Sequence, residues 1–400
     1  PTSSLGISMR NGILAAFQQV NDQGGVQGYQ LELISYDDMY EPEPSVNNTM
    51  RLIEEDDVFA LIGAVGTPTS KVSLPIAEER KVPFLAPFTG AMFLRKPWRE
   101  DVVNIRASYN DETAAMIKYF VSVQKFSRIS IFYQDDSFGL AGLNGVTAAL
   151  SGFSLPIYTE GTYVRNSDDI QTGFDSVFPK QAEPPEAVVM VGTYTQLADF
   201  VKLSMKEYPQ VKSYATVSFV GSGAYAEALE GSDVGNTTAS VYVTQVVPIP
   251  TDTSIPFVQT YQNALKAYNP ELDPDFVSLE GYMAGMLAAE SLENANVAMD
   301  VMTRQDMLDG IYDKGIIDLG DFRIGPYGGN CSQISTGCQC NQGMREVFLT
   351  RLTGDGAFEY VPDYEFIFST CGYVPTVPDP LLIGQTASLT GPQADLGLSM

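Results

Sequence analysis

The chain of 400 residues is 44% hydrophobic and 18% charged, a composition that fits two or three globular domains and excludes a disordered protein. Its formal net charge of −26 argues against nucleic acids and anionic membranes as partners, because both require basic surfaces. The chain contains no histidine, which excludes Ser-His and Cys-His nucleophile pairs and removes the commonest general base. No apolar run is long enough for a membrane span.

Strand and helix patterns alternate from the first residues onward. Apolar residues at helical spacing predict a helix over residues 5–23, and alternating residues predict a strand over 29–38. A helix over 43–57, the strands FALIG, PFLAP and DVVNIRA, and helices ending near residues 80 and 124 follow. This alternation is typical of a doubly wound α/β domain with a parallel sheet.

The same alternation begins again at residue 128 with RISIFYQDDSFG and a helix to about residue 150. Further strands are predicted in LPIYTEG, AVVMVG, SYATVSF and VYVTQVV, with helices between them. Two later helices, at about 254–267 and 276–294, are long enough to return to the first half. The sequence therefore predicts two lobes, and two connections between them would form a hinge.

Two turns in the first half are suited to hold an anion. Thr67 and Thr69 open a helix directly after FALIG, and Phe88, Thr89 and Gly90 follow PFLAP. Both turns lie where parallel strands end, and helix starts there present free N–H groups that favour a carboxylate. The alternative is that the two threonines at positions 67 and 89 are ordinary helix caps.

All four cysteines lie in the last fifth of the chain, at Cys331, Cys338, Cys340 and Cys371. Their spacing lacks the paired C-x-x-C of zinc sites, so we expect two disulfides, no metal or other cofactor, and an oxidising compartment. Because Cys-x-Cys neighbours rarely bond each other, the favoured pairing is Cys331 with Cys338 and Cys340 with Cys371. The hairpin expected after this loop turns at Asp355-Gly356.

Three segments, IGAVGTPTSKVSLPIAEERKVPFLAPFTGA, RISIFYQDDSFGLAGLNGV and DFVSLEGYMAGMLAAESL, resemble the leucine/isoleucine/valine-binding family of type I periplasmic binding proteins. Their order and spacing are specific to that family, and the resemblance covers nearly the whole chain. It implies an α/β fold with two doubly wound parallel-sheet lobes that close over a small ligand, commonly an amino acid. The lobes would be residues 1–124 and 125–247, followed by returning helices over 248–315, a lobe-crossing cysteine loop and hairpin over 316–378, and a segment over 379–400 that belongs to the first lobe.

The resemblance also implies where a ligand would sit. The turns at Thr67 and at Phe88 to Gly90 would hold its carboxylate and amino group, and Phe138, Thr193 and Tyr194 of the second lobe would cover it. Where the family often has an acidic partner for the amine, this chain has Val220-Gly221-Ser222-Gly223, which argues against a plain α-amino-acid ligand. The candidate ligand-binding residues are Leu5, Thr67, Thr69, Phe88, Thr89, Gly90, Asp136, Phe138, Thr193, Tyr194, Ser222, Glu280 and Thr390.

Two acidic candidates have alternative roles that the sequence leaves open. Asp136 either contacts a ligand amine or caps the helix that follows it. Glu280 either replaces the missing acid of the cleft or complements the dipole of its own helix.

The two ends of the chain repeat each other. PTSSLGISM at residues 1–9 matches PQADLGLSM at 392–400 in five positions, namely Pro1/Pro392, Leu5/Leu396, Gly6/Gly397, Ser8/Ser399 and Met9/Met400. By the resemblance, the preceding LLIGQTASLTG is the family's first strand and first ligand-side turn, so we expect a circular permutation. Residues 382–386 would form a strand beside 31–36, and a tandem copy of the same domain is expected in the full-length protein.

The leading hypothesis is a non-enzymatic solute-binding protein, periplasmic or extracellular, that captures a small polar ligand and presents it to a membrane permease of an ABC importer. The first alternative is a ligand-sensing ectodomain of a membrane receptor that signals through a cyclase or kinase. The second is an amidohydrolase-type enzyme, which without histidine would need a carboxylate-bound metal or a Ser-Lys pair.

Overall fold

Two main sheets organise the chain, each flanked by helices. The computed structural model describes residues 3–231, 239–297, 301–320, 322–328 and 340–367. The helices of this described part are α1 (Ser3–Asp22), α2 (Pro42–Glu54), α3 (Thr67–Arg80), α4 (Tyr109–Lys118), α5 (Ser137–Ser151), α6 (Gln171–Val177), α7 (Tyr194–Glu207), α8 (Ser222–Leu229), α9 (Pro256–Tyr268), α10 (Phe276–Glu293) and α11 (Arg304–Tyr312). Its strands are β1 (Leu61–Ile62), β2 (Phe84–Leu85), β3 (Val102–Val103), β4 (Ile129–Gln134), β5 (Glu160–Tyr163), β6 (Ala187–Val191), β7 (Ser213–Thr216), β8 (Ser240–Gln245), β9 (Ile317–Asp318), β10 (Arg323–Ile324), β11 (Glu346–Leu352) and β12 (Phe358–Ile367).

The first lobe is built on the parallel sheet β1-β2-β3. Apolar residues of these short strands pack against Ile53 of α2 and Leu74 of α3. On the other side α1 lies along α10 so closely that a Cβ atom added to Gly12 would fall 2.0 Å from the carbonyl oxygen of Ser278. The glycine is therefore needed for the contact between these two helices.

The second lobe contains a seven-stranded sheet in the order β12-β11-β8-β7-β6-β4-β5. The five strands from β8 to β5 are parallel, and the β11–β12 hairpin adds antiparallel strands at one edge. Strands β4 and β6 are buried throughout, as expected for parallel strands covered by helices on both faces. The predicted α/β fold is confirmed, and the hairpin turns at Asp355-Gly356 as the sequence predicts.

Within the described residues the chain crosses between the lobes at three places, the third of them in the segment that the resemblance implies to be lobe-crossing. It passes from α4 to β4 and from β8 to α9. The third crossing lies just before β11: Asn104 and Met344 donate backbone hydrogen bonds to the carbonyls of Asn341 and Ile105, after which β11 pairs with β8. Three connections restrict how the lobes move relative to each other.

The strand predicted over residues 29–38 does not form in the described structure, and this part of the prediction is wrong. No residue from 27 to 39 is buried, although the sequence alternates like a strand. A strand requires a neighbour that completes its ladder of backbone hydrogen bonds, and the described residues offer none.

Several predictions lie outside the described residues. These are the strand over 382–386, Thr390, and three of the cysteines (Cys331, Cys338 and Cys371). Cys340 is described and is not a free thiol, while the predicted pairing stays a prediction.

Candidate functional site

Three hydroxyl groups meet at the start of α3, between the two lobes. The Thr67 and Thr89 hydroxyl oxygens are 2.7 Å apart and fully buried. The Tyr109 hydroxyl lies beside this pair, and in the described structure it completes no hydrogen bond of standard geometry. Burial raises the pKa of Tyr109, so it is a neutral donor at physiological pH. The cluster, with the positive end of the α3 dipole, has the chemistry to bind an anion.

Local sequence explains how this cluster forms. Thr67 follows Gly66, whose φ of 110° lets the chain turn sharply from β1 into α3. Gly90 leaves room for the Tyr109 ring, since a Cβ atom there would lie 2.6 Å from that ring. The turns after β1 and β2 therefore converge, as parallel strands predict.

Aromatic rings from both lobes fill the cleft next to the hydroxyl groups. Phe219 lies at their centre, with ring centroids 4.6 Å from Phe138, 5.4 Å from Phe88 and 6.3 Å from Tyr40. All four rings are buried. An apolar part of a ligand bound at the hydroxyl groups would therefore contact aromatic side chains.

Asp136 caps α5 and also takes part in an ionic bridge across the mouth of the cleft. Its carboxylate accepts hydrogen bonds from the Phe138 backbone N–H at 2.8 Å and from Arg165 at 3.1 Å. Arg165 in turn donates to Glu41, at the start of α2 in the opposite lobe, at 2.7 Å. The Asp136 carboxylate is thus fully engaged within the protein.

A buried charge cluster lies on the hinge side of the rings. The Arg106 guanidinium sits 4.5 Å over the ring of Phe88, 3.5 Å from Glu280 and 4.0 Å from Glu112. Glu112 also accepts hydrogen bonds from the Ser218 N–H and the Thr244 hydroxyl, both at 2.7 Å. Glu280 Oε1 accepts no hydrogen bond among the described residues, and burial raises the pKa of Glu280 to about 7.

Glu280 also borders a narrow crevice between the lobes. The residues around it are Phe88, Ser218, Gln245, Val246, Val247, Phe276, Val277 and Glu280. Most of these lining residues are apolar, and Glu280 is the one acidic residue among them.

A comparison with known families identifies this architecture. The sequence profile of the periplasmic binding proteins matches residues 1–357. The chain belongs to the periplasmic binding protein family. A crystal structure described as a possible leucine/isoleucine/valine-binding protein from Rhodopirellula baltica SH 1 is 33% identical, with a TM-score of 0.79, and the match covers 90% of this chain and 93% of that one. The family and fold predicted from the sequence are confirmed.

Two curated relatives match different shares of this chain. The Leu/Ile/Val-binding protein of Escherichia coli K12 is 22% identical over 139 residues, which are 35% of this chain and 38% of that protein. The receptor-type adenylate cyclase ESAG 4 of Trypanosoma brucei brucei is 20% identical over 353 residues, which are 79% of this chain and 28% of the cyclase. The chain thus spans less than half the length of either relative. No helix in the described part of the chain is long and apolar enough to cross a membrane.

The remaining candidate residues are distributed around the cleft. Leu5 is buried, and its side chain lies where a Cβ atom on Gly221 of the other lobe would be. The Thr69 hydroxyl donates to the carbonyl of Val65 within its own turn. Ser222 accepts a hydrogen bond from Gln245 at 2.7 Å. Leu5 and Ser222 therefore lie at the lobe interface, whereas the hydroxyl of Thr69 is used by the helix start.

The described contacts of Thr193 and Tyr194, at the start of α7, are all within the second lobe. The Thr193 hydroxyl donates to Gln196 at 2.6 Å and lies 3.2 Å from the Tyr163 hydroxyl. The ring of Tyr194 packs against the core of that lobe. Neither side chain contacts the Thr67 and Thr89 hydroxyls in the described structure.

Sequence analysis missed several residues that form the cleft. These residues are Tyr40, Glu41, Arg106, Tyr109, Glu112, Arg165 and Phe219. One signal was present for Arg106, because a charged residue ends the apolar run DVVNIRA, just where parallel strands deliver functional side chains. The others come from turns and helix starts, where polar and aromatic residues are common.

Proposed function

We propose that this protein is a non-enzymatic, extracytoplasmic solute-binding protein whose ligand is a small carboxylic acid held between the lobes. The observation that carries this proposal is the buried group of Thr67, Thr89 and Tyr109 hydroxyls at the start of α3. A carboxylate there would accept hydrogen bonds from hydroxyl and backbone donors and would face the positive end of the helix dipole. The surrounding rings would contact its apolar part.

Glu280 is the best candidate to bind an ammonium group if the ligand carries one. It lines the opening between the lobes, and its Oε1 has no hydrogen bond among the described residues. Asp136 is less suited, because its carboxylate already caps α5 and pairs with Arg165. An amino acid would therefore place its carboxylate at the threonines and its ammonium group towards Glu280.

A catalytic role has less support from this cleft. The chain has no histidine, and the carboxylates described there face arginines or helix N–H groups. Neither a general base nor an activated nucleophile lies beside the three hydroxyls in the described structure. We therefore favour capture of a ligand, followed by recognition of the closed form by a membrane permease.

Titration calorimetry with paired ligands tests the proposal. The pairs are leucine with 4-methylpentanoate and phenylalanine with 3-phenylpropanoate, which differ in the ammonium group. Thr89→Val keeps the side-chain volume and should weaken carboxylate binding about 10- to 100-fold, since a hydrogen bond to a charged group contributes about 1.5–3 kcal/mol. Thr49→Val, at a buried hydroxyl away from the cleft, is the matched control.

The outcome with each pair separates the two parts of the proposal. Preference for the amino acids, lost in Glu280→Gln, would support the ammonium assignment. Equal affinity for both members of each pair would leave the carboxylate site intact and remove the role of Glu280. If no carboxylate binds, or if Thr89→Val and Thr49→Val behave alike, the site is wrongly assigned.

A second function, a ligand-sensing ectodomain of a membrane receptor, has one supporting observation. The similarity to the trypanosome receptor-type adenylate cyclase extends over 79% of this chain. The same cleft would then control a cyclase or kinase instead of loading a permease. The sequence of the full-length transcript discriminates between these functions, because a catalytic domain encoded with this chain would favour the receptor.

A further inference from the structure

One aromatic ring of the second lobe lies at the centre of the cleft. Phe219 belongs to a short turn between β7 and α8, and its side chain is fully buried. The ring packs against Phe88 and Tyr40 of the first lobe and against Phe138 of the second. Phe219 therefore joins the two lobes across the cleft.

The neighbours of Phe219 border the three hydroxyl groups at the start of α3. The Tyr40 ring lies against Gly66, the residue before α3, since a Cβ atom there would fall 2.5 Å from that ring. The ring of Phe138 lies 5.3 Å from the ring of Tyr109. Because Phe219 contacts both of these neighbours, the chain of an acid held at the hydroxyls would extend towards Phe219.

Buried polar contacts fix one end of the turn that carries this ring. The backbone N–H of Ser218 donates to the Glu112 carboxylate at 2.7 Å, and the Ser218 hydroxyl accepts a hydrogen bond from Arg106. Glu112 and Arg106 are both buried, and hydrogen bonds to charged groups are strong where water is excluded. The backbone beside Phe219 is thus held in place.

The other end of the turn is fixed by packing. Gly221 has a φ of 72°, and a Cβ atom on it would lie 2.3 Å from the side chain of Leu5 in α1. Its backbone N–H donates to the carbonyl of Ser218 at 3.1 Å. Since both ends of the turn are held, moving the ring of Phe219 out of the cleft requires contacts between the lobes to break.

We propose that Phe219 is the specificity-determining residue of the cleft and limits the ligand to carboxylic acids with short chains, such as propanoate. Glu112 and Arg106 are positioning residues that keep its ring in place. This inference rests on the proposed function, because it takes the three hydroxyls as the carboxylate site. A longer chain must displace the ring or separate the lobes, and a misfit of one methylene in an apolar pocket changes affinity about 10-fold or more.

Titration calorimetry with propanoate, 4-methylpentanoate and 3-phenylpropanoate tests this inference. The wild type should bind propanoate at least about 10-fold more tightly than either longer acid. Phe219→Ala should raise the affinity for both longer acids about 10-fold or more and leave that for propanoate nearly unchanged, because their apolar groups would fill the space of the ring. Phe200→Ala, at an equally buried ring in the core of the second lobe, is the matched control and should change none of the three affinities.

Two further variants serve if Phe219→Ala fails to fold. Phe219→Leu removes less volume and should give a smaller gain for the longer acids. With 4-fluorophenylalanine in place of Phe219, the fluorine NMR signal should shift when 4-methylpentanoate saturates the protein. Glu112→Gln should broaden that signal without any ligand, because the turn then loses its charged acceptor.

The outcomes separate this inference from the proposed function. If the wild type binds acids but 4-methylpentanoate binds as tightly as propanoate, Phe219 does not limit the chain and the carboxylate site still stands. An order of affinities that is the same in the wild type, Phe219→Ala and Phe219→Leu would overturn the inference in the same way. If none of these proteins binds any carboxylic acid, the carboxylate site is wrong and the role of Phe219 is refuted with it.

Discussion

The buried carboxyl group of Glu280 predicts a specific dependence of stability on pH. Glu280 is 2% exposed and lies 3.5 Å from Arg106 Nε. Burial raises its pKa from 4.5 to about 7, although Arg106 opposes the change. This difference corresponds to about 3 kcal/mol, at roughly 1.4 kcal/mol per pH unit.

The sign of the effect follows from where the proton is bound. Below pH 4.5 the carboxyl group is protonated in both the folded and the unfolded chain, so its burial costs little. Between pH 4.5 and 7 the folded protein binds one more proton than the unfolded chain, and the free energy of unfolding falls as the pH rises. Above pH 7 the folded protein carries the full cost of a buried carboxylate.

Glu280→Gln replaces this group with a neutral side chain of similar size. The free energy of unfolding of the variant, relative to the wild type, should rise by about 3 kcal/mol between pH 4.5 and 7.5. Urea denaturation followed by circular dichroism at several pH values measures the difference. Glu79→Gln, at a side chain that is 73% exposed, controls for the loss of one surface charge.

Parallel stability curves for the wild type and Glu280→Gln would refute this reasoning. They would mean that Arg106 compensates the Glu280 carboxylate fully, so that its pKa is unchanged by folding. A curve of opposite slope would mean that the ion pair outweighs burial.

Two further predictions concern the lobe interface and helix packing. Arg165→Ala, which removes the bridge from Asp136 to Glu41, should weaken ligand binding about 5-fold, because such partly exposed pairs contribute roughly 1 kcal/mol. Calorimetry would measure this against Arg128→Ala, whose pair with Glu183 stays within one lobe, and equal affinities would contradict the bridging role. Gly12→Ala should lower stability by about 1–3 kcal/mol, because its Cβ would meet the Ser278 carbonyl. In urea denaturation Gly6→Ala in the same helix, where no described residue lies within 4 Å of an added Cβ atom, should instead stabilise by up to about 1 kcal/mol. Two variants of equal stability would contradict the close contact of α1 with α10.

The helices and most strands could be predicted because their signals are local. The spacing of apolar residues in 5–23 and 276–294 determines which face is buried, and α1 and α10 form within two residues of the predicted ends. The convergence of Thr67 and Thr89 could also be predicted, because the carboxyl ends of neighbouring parallel strands meet at one edge. The structure places their hydroxyl oxygens 2.7 Å apart.

Residues 31–36 show why local signals fail for strands. Their alternation is as regular as that of the strands that form, yet a strand depends on a partner that is remote in sequence. The prediction of a strand there rests on the alternating pattern of its residues, whereas the strand forms only if a partner strand lies beside it.

Arg106 illustrates the same dependence for the charges of the cleft. Its partners Glu112 and Glu280 are remote from each other in sequence, and Phe88 supplies the ring below it. A buried arginine is tolerated only where carboxylates and hydrogen-bond acceptors surround it, so its position beneath the cleft requires both acids to be present. The sequence left two roles open for Glu280. The structure adds Arg106 as its partner, and this arginine both neutralises the carboxylate and orients it towards the opening. A ligand ammonium group at Glu280 would therefore share the carboxylate with Arg106. Because Glu280 loses its proton as the pH rises through 7, the binding of amino acids should strengthen over that range. Deaminated ligands should lack that dependence. Calorimetry at pH 6 and 8 with leucine and 4-methylpentanoate measures both slopes, and a pH dependence common to the two ligands would contradict this role for Glu280.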